Sequence, residues 1–159
     1  MKKETSAGNK RLKICVACSV GGHFKQMLKL APSWKDFDYF YLLFHKPVLK
    51  SFLEKEKVYI VCNPERNPFR FIVNIFQSLA VFLKARPDVI ISNGAGVAVA
   101  ICYIAKLFRR KVVYVEDWCV IKRPSISGRI IYPISDLFVI QRHQLKEFYP
   151  KAVFGGELF

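Results

Sequence analysis

A chain of 159 residues with 52% hydrophobic and 24% charged side chains can bury a real core, which excludes an intrinsically disordered protein. Its 26 Lys and Arg against 12 Asp and Glu leave a formal charge of +14, which calls for an anionic partner: nucleic acid, a phosphorylated substrate or an anionic membrane face. The five Cys are odd in number and lack the spacing of a disulfide framework, which points to a reducing, cytoplasmic setting.

In chain order, residues 1–11 read as a flexible basic tail and 12–159 as one domain. No apolar core of a signal peptide follows the polar start. No run reaches the ~20 apolar residues needed to span a bilayer. A strand is expected over 12–20, then the turn Gly21-Gly22, then a helix over 24–30 that stops ahead of Pro32. Aromatic and apolar residues over 38–44 predict a second strand. A short helix over 48–55 and a third strand over 57–62 follow, then a loop over 63–68. Residues 69–84 predict a long helix whose polar residues Arg70, Asn74, Gln77 and Ser78 share one face. A buried strand over 89–92 leads into Gly94-Ala95-Gly96 and a nearly all-apolar helix over 97–108. A strand over 111–116, a helix over 125–132, a strand over 137–140 and a short helix over 144–148 complete the pattern.

Strands apolar throughout, alternating with helices, predict a Rossmann-like α/β fold: a parallel sheet with helices on both faces. Ligands of such sheets bind beyond the carboxyl ends of the strands. Three segments fall there: Gly21-Gly22-His23, Asn93-Gly94-Ala95-Gly96 and Glu116-Asp117-Trp118. Each has two readings. The glycine pair makes a tight turn or cradles phosphate at a helix start, where His23 would donate to phosphate or act as a general base. Asn93, Gly94 and Gly96 serve close ligand approach or close helix–sheet packing. Glu116 is a solvated strand end, or a base or sugar ligand; Trp118 stacks on a sugar or fills the core. Cys15 and Cys18 lie within a strand and face opposite sides, which argues against a redox pair. Cys62, Cys102 and Cys119 read as core thiols. No ligand spacing predicts a metal site, and no cofactor is expected. The 69–84 helix, flanked by Arg66, Arg70, Lys84 and Arg86, packs conventionally or lies on an anionic membrane surface.

Val20-Gly21-Gly22-His23 with Met27-Leu28, Ser92-Asn93-Gly94-Ala95-Gly96, Val115-Glu116, Ser125-Ile126-Ser127-Gly128 and the run from Tyr132 to Gln141 occur in that order. Together they resemble the PssD-type polysaccharide biosynthesis proteins and the asparagine-linked-glycosylation-protein-fourteen family. The resemblance runs from about Lys13 to the carboxyl terminus. It implies the N-terminal half of a split GT-B glycosyltransferase, similar to the N-terminal domain of MurG. A separate chain would supply the nucleotide-sugar half. It further implies a subunit on the cytoplasmic membrane face that binds a polyprenyl-pyrophosphate-linked acceptor. The sugar would come from a UDP-sugar with inversion. His23 and Glu116 are then the candidate catalytic residues. Gly21, Gly22, Asn93, Gly94, Gly96 and Trp118 are the candidate substrate ligands, and Leu158 and Phe159 the apolar anchors for the partner. Gln26 stands near a place where the family often carries Glu, so no carboxylate acts at that position. Two other readings remain: a non-catalytic membrane scaffold that recruits and activates the donor-binding subunit, and a basic nucleic-acid-binding protein.

Overall fold

The computed structural model describes residues 11–158. The expected tail, apart from Arg11, and the expected anchor Phe159 lie outside them. Seven strands form one sheet in the order β3-β2-β1-β4-β5-β6-β7: β1 Lys13–Cys18, β2 Asp38–Leu43, β3 Val58–Ile60, β4 Val89–Gly94, β5 Lys111–Val115, β6 Leu137–Ile140 and β7 Val153–Phe154. Every paired neighbour is parallel. The Rossmann-like prediction is therefore met, with one more strand than expected. β7 has only two residues, both exposed, too few for a period to show.

Side-chain alternation along β1 builds the two cores. Cys15 and Ala17 point into one, with Phe40, Leu42 and the helix residues Phe82, Val97 and Ile101. Ile14, Val16 and Cys18 point into the other, with Phe24, Met27, Trp34 and Leu43. The two thiols thus sit on opposite faces, as a strand requires. Burial pushes both upward in pKa, Cys18 to about 12. Cys102 is buried as expected, whereas Cys62 is half-buried and Cys119 is exposed, because each falls in a loop past a strand end.

The helices are α1 Gly22–Lys29, α2 Lys50–Leu53, α3 Pro68–Ala85, α4 Gly96–Leu107 and α5 Ile126–Ile131. The short helix predicted over 48–55 is present as α2 behind a 3-10 turn, Pro47–Leu49, whereas the one predicted over 144–148 is a 3-10 turn, His143–Glu147. Strand order reverses between β1 and β4, the place where doubly wound sheets open a crevice.

α3 packs Phe71, Leu79 and Phe82 on the core, yet it also buries two polar residues and exposes five large apolar ones. Asn67 caps it, accepting from Phe69 N–H at 2.9 Å and Arg70 N–H at 3.2 Å. Only half of its expected polar stripe faces inward: Asn74 and Ser78 are fully buried, and Asn74 Nδ2 donates to the Cys62 carbonyl at 2.8 Å, while Arg70 and Gln77 are exposed. Its large apolar residues Phe69, Ile72, Val73, Phe76 and Leu83 are exposed, Phe69 by 78% and Phe76 by 68%. By length and composition this helix reaches what a membrane crossing needs, which corrects the expectation that no segment does.

Candidate functional site

The crevice at the carboxyl ends of β1, β4 and β5 brings the three expected loops together, because those strands are adjacent. Between them opens a cavity of about 730 Å³. His23, Asp117, Ser125 and Ser127 supply polar groups on one side, and Arg66 and Asn67 add two more from the loop before α3. Phe71, Val99, Val120, Ile126 and Ile130 are among its apolar walls, from α3, α4, α5 and the loop before α5.

His23 sits in the first turn of α1. Its Nδ1 is shut off from solvent, 3.3 Å from Asp117 Oδ2, close enough for an ion pair although not aligned as a hydrogen bond. With Nδ1 turned to the carboxylate, Nε2 is the nitrogen left for a ligand. Asp117 is itself held: Gln26 Nε2 donates to its Oδ1 at 2.8 Å, and the Cys119 amide donates to the same oxygen at 2.9 Å. Asn93 is fully buried and ties β4 to α1, its Nδ2 donating to the His23 carbonyl at 2.9 Å. Asn93 thus supports the histidine from behind and does not line the cavity.

Gly94 has a φ of +103°, and a Cβ there would lie 2.8 Å from Ser127 Oγ and 3.6 Å from His23 Cε1. Only glycine lets the imidazole and α5 close on the end of β4. Gly21 and Gly22 differ. A Cβ on either would meet nothing within 4 Å, so open space lies before the start of α1, whose first turn holds no acidic residue. Gly96 borders the cavity beside Pro64.

Glu116 does not face this cavity. It is fully buried, and both its oxygens are taken: Oε1 accepts from Ser125 Oγ at 2.7 Å and Oε2 from Tyr149 OH at 2.8 Å. The carboxylate that faces His23 belongs to the next residue, Asp117. Strand alternation carries the signal: Glu116 shares a face with Tyr114, and that face is core. Trp118 is also elsewhere, 39% exposed with the Arg142 guanidinium 4.9 Å from its ring centre. Leu158 is half-buried; its amide donates to Gln141 Oε1 at 3.0 Å.

The sequence matches the family described as "Oligosaccharide biosynthesis protein Alg14 like" over residues 63–158. It is 35% identical over 96 residues to the UDP-N-acetylglucosamine transferase subunit ALG14 of Rattus norvegicus, covering 57% of this chain and 44% of that protein. It is 41% identical over 97 residues to the Schizosaccharomyces pombe subunit alg14, covering 56% and 46%. The chain thus spans less than half the length of these curated relatives. Among solved structures it is similar to Acinetobacter baumannii MurG, with a TM-score of 0.67 at 14% identity over 81% of this chain and 41% of that one. It is also similar to Methanocaldococcus jannaschii UDP-GlcNAc 2-epimerase, with a TM-score of 0.72 at 14% identity over 88% and 43%. At such identities the likeness is one of fold, that of a GT-B N-terminal domain, as predicted.

Proposed function

The chain belongs to the Alg14-like family of oligosaccharide biosynthesis proteins, and from that membership we propose that it is the acceptor-binding subunit of a two-component, inverting glycosyltransferase. The donor is a UDP-sugar held by a second chain. The acceptor is a saccharide linked to a polyprenyl pyrophosphate. The observation that carries this reading is the His23–Asp117 pair at a cavity whose remaining walls are largely apolar.

In this mechanism His23 Nε2 accepts the proton of the acceptor hydroxyl as its oxygen bonds to the anomeric carbon. The bond from that carbon to the UDP oxygen breaks, and UDP leaves from the opposite side with the electron pair. Asp117 keeps the imidazole oriented and offsets the positive charge it gains. The open space before Gly21 and Gly22 admits the acceptor pyrophosphate to the start of α1, where peptide N–H groups and the helix dipole favour negative charge.

The same reading puts α3 in the interface of the cytoplasmic membrane face. Phe69, Ile72, Val73, Phe76 and Leu83 enter the acyl boundary, and Arg66, Arg70, Lys84 and Arg86 meet anionic headgroups. Five large apolar side chains turned outward suit a helix whose outer medium is lipid. Cavity and α3 are continuous through Phe71, so an acceptor need not leave the bilayer to reach His23.

The test is transfer by the chain reconstituted with a donor-binding partner and anionic vesicles. His23→Ala should lower kcat by ~10²–10⁴, the range of a lost general base. Full transfer by His23→Ala would make the chain the non-catalytic scaffold instead.

A further inference from the structure

Among the described residues, Glu116 is the one buried carboxylate next to the site that the proton transfer above does not use. Its oxygens reach three segments. Oε1 accepts from Ser125 Oγ at 2.7 Å and from the Asp117 amide at 3.2 Å, and Oε2 accepts from Tyr149 OH at 2.8 Å. Its main-chain carbonyl accepts from Gln141 Nε2 at 2.9 Å, and Gln141 Oε1 accepts from the Leu158 amide at 3.0 Å. Ser125 in turn caps α5, its Oγ accepting from the Gly128 amide at 2.8 Å. Tyr114 OH and Ser127 Oγ continue the network at 3.1 Å.

The packing around this carboxylate leaves no slack. A Cβ on Gly128 would overlap Glu116 Oε2 and lie 2.6 Å from Tyr149 OH. Burial and the Glu116 charge both push the Tyr149 hydroxyl upward in pKa, so it remains a donor at any ordinary pH. A carboxylate whose two oxygens accept from three fixed donors, and which is absent from the cavity lining, is placed to hold parts together and not to exchange protons.

We propose that Glu116 is a positioning residue. Its carboxylate fixes Asp117 and the Ser125–Gly128 turn at a set separation across the cavity, and its carbonyl ties that frame through Gln141 to the carboxyl-terminal segment. It does not touch the acceptor. The role in catalysis rests on the glycosyltransferase reading; the structural coupling does not.

The experiment compares Glu116→Gln, Tyr149→Phe and Ser125→Ala in the full chain with two readouts. The first is hydrogen–deuterium exchange of the isolated chain. Each variant should exchange faster over residues 117–131, well beyond any change in β1 and β2. The second is transfer by the reconstituted pair. Each variant should raise the acceptor KM by about tenfold, the scale of one lost charge-assisted hydrogen bond. The acidic limb of the pH–rate profile should stay where it is. Should Glu116→Gln fail to fold, Tyr149→Phe and Ser125→Ala carry both readouts, since each keeps the carboxylate and removes one of its donors. Unchanged exchange over 117–131 in these two would overturn the proposal. So would a fall in kcat of ~10²–10⁴ for Glu116→Gln, with KM unchanged and the acidic limb lost, since that marks a proton acceptor. If the wild-type pair transfers nothing, the glycosyltransferase reading fails, and the exchange experiment still decides the coupling.

Discussion

Gln26 and Asp117 meet at 2.8 Å across 91 residues of sequence, the amide of α1 donating to the carboxylate beyond β5. The helix that carries His23 therefore also holds the carboxylate that orients it. One side chain joins the two strand-end loops that the mechanism needs in register. Gln26→Ala leaves Asp117 Oδ1 with the Cys119 amide alone and loosens its tie to α1. We expect about a tenfold fall in kcat with little change in acceptor KM, consistent with a lost hydrogen bond to a charged group. Steady-state transfer assays of the reconstituted pair measure this, and equal kcat for variant and wild type would count against an orienting role.

The two glycine loops should respond differently to alanine. At Gly94 both the positive φ and Ser127 Oγ oppose a methyl group, and Gly94→Ala should cost ~2 kcal/mol of stability. At Gly22 there is room, and Gly22→Ala should leave the unfolding free energy within ~0.5 kcal/mol of wild type while weakening acceptor binding. Urea unfolding beside acceptor titrations separates the two. If Gly22→Ala bound acceptor normally, no ligand comes close to that turn.

The outer face of α3 is testable without any enzyme assay. Phe69→Glu with Phe76→Glu changes two exposed positions, so folding stability should change little. Cosedimentation with vesicles containing anionic lipid should be lost in this variant. In the wild type it should weaken as salt rises, because the Debye length shortens from ~10 Å at 0.1 M. Undiminished sedimentation of the double variant would place the membrane contact elsewhere.

Asp136 offers a pH prediction remote from the cavity. Burial alone would raise its carboxyl, but the Val112 amide and the Lys106 and Lys111 ammonium groups lower it from 3.8 to about 2. A depressed folded-state pKa contributes stability above the unfolded value and loses it as pH falls through the folded one. Wild type should therefore exceed Asp136→Asn near neutrality, by about 1 kcal/mol once solvent screening of so exposed a group is allowed for, and the gap should close between about pH 4 and pH 2. Denaturant melts across that window test it; a constant gap would mean that the charge contributes nothing.

Much of the crevice was legible because a parallel sheet leaves little choice. Apolar runs marked the strands, and whatever followed them had to gather at one rim. The side of each residue was harder to read. Glu116 and Asp117 are adjacent carboxylates, and only the alternation shared with Tyr114 sends the first into the core and the second toward His23. Asn74 and Ser78 marked a polar face on α3 correctly, yet periodicity locates a face and not its surroundings. Their burial depends on α4 and on the Cys62 carbonyl, which no local pattern contains. β7 escaped because two residues carry no period, and its pairing depends on β6.

The outward apolar side of α3 bears on how the protein can be handled. Released into plain buffer, five large side chains have only other copies of the chain to cover them. Yield should then depend on how quickly a newly made chain reaches a bilayer. Mild detergent should recover single, well-behaved particles from material that otherwise clusters. Size-exclusion profiles that collapse to one peak on adding detergent, and broaden again on its removal, would be the practical signature of a helix built with its oily side out.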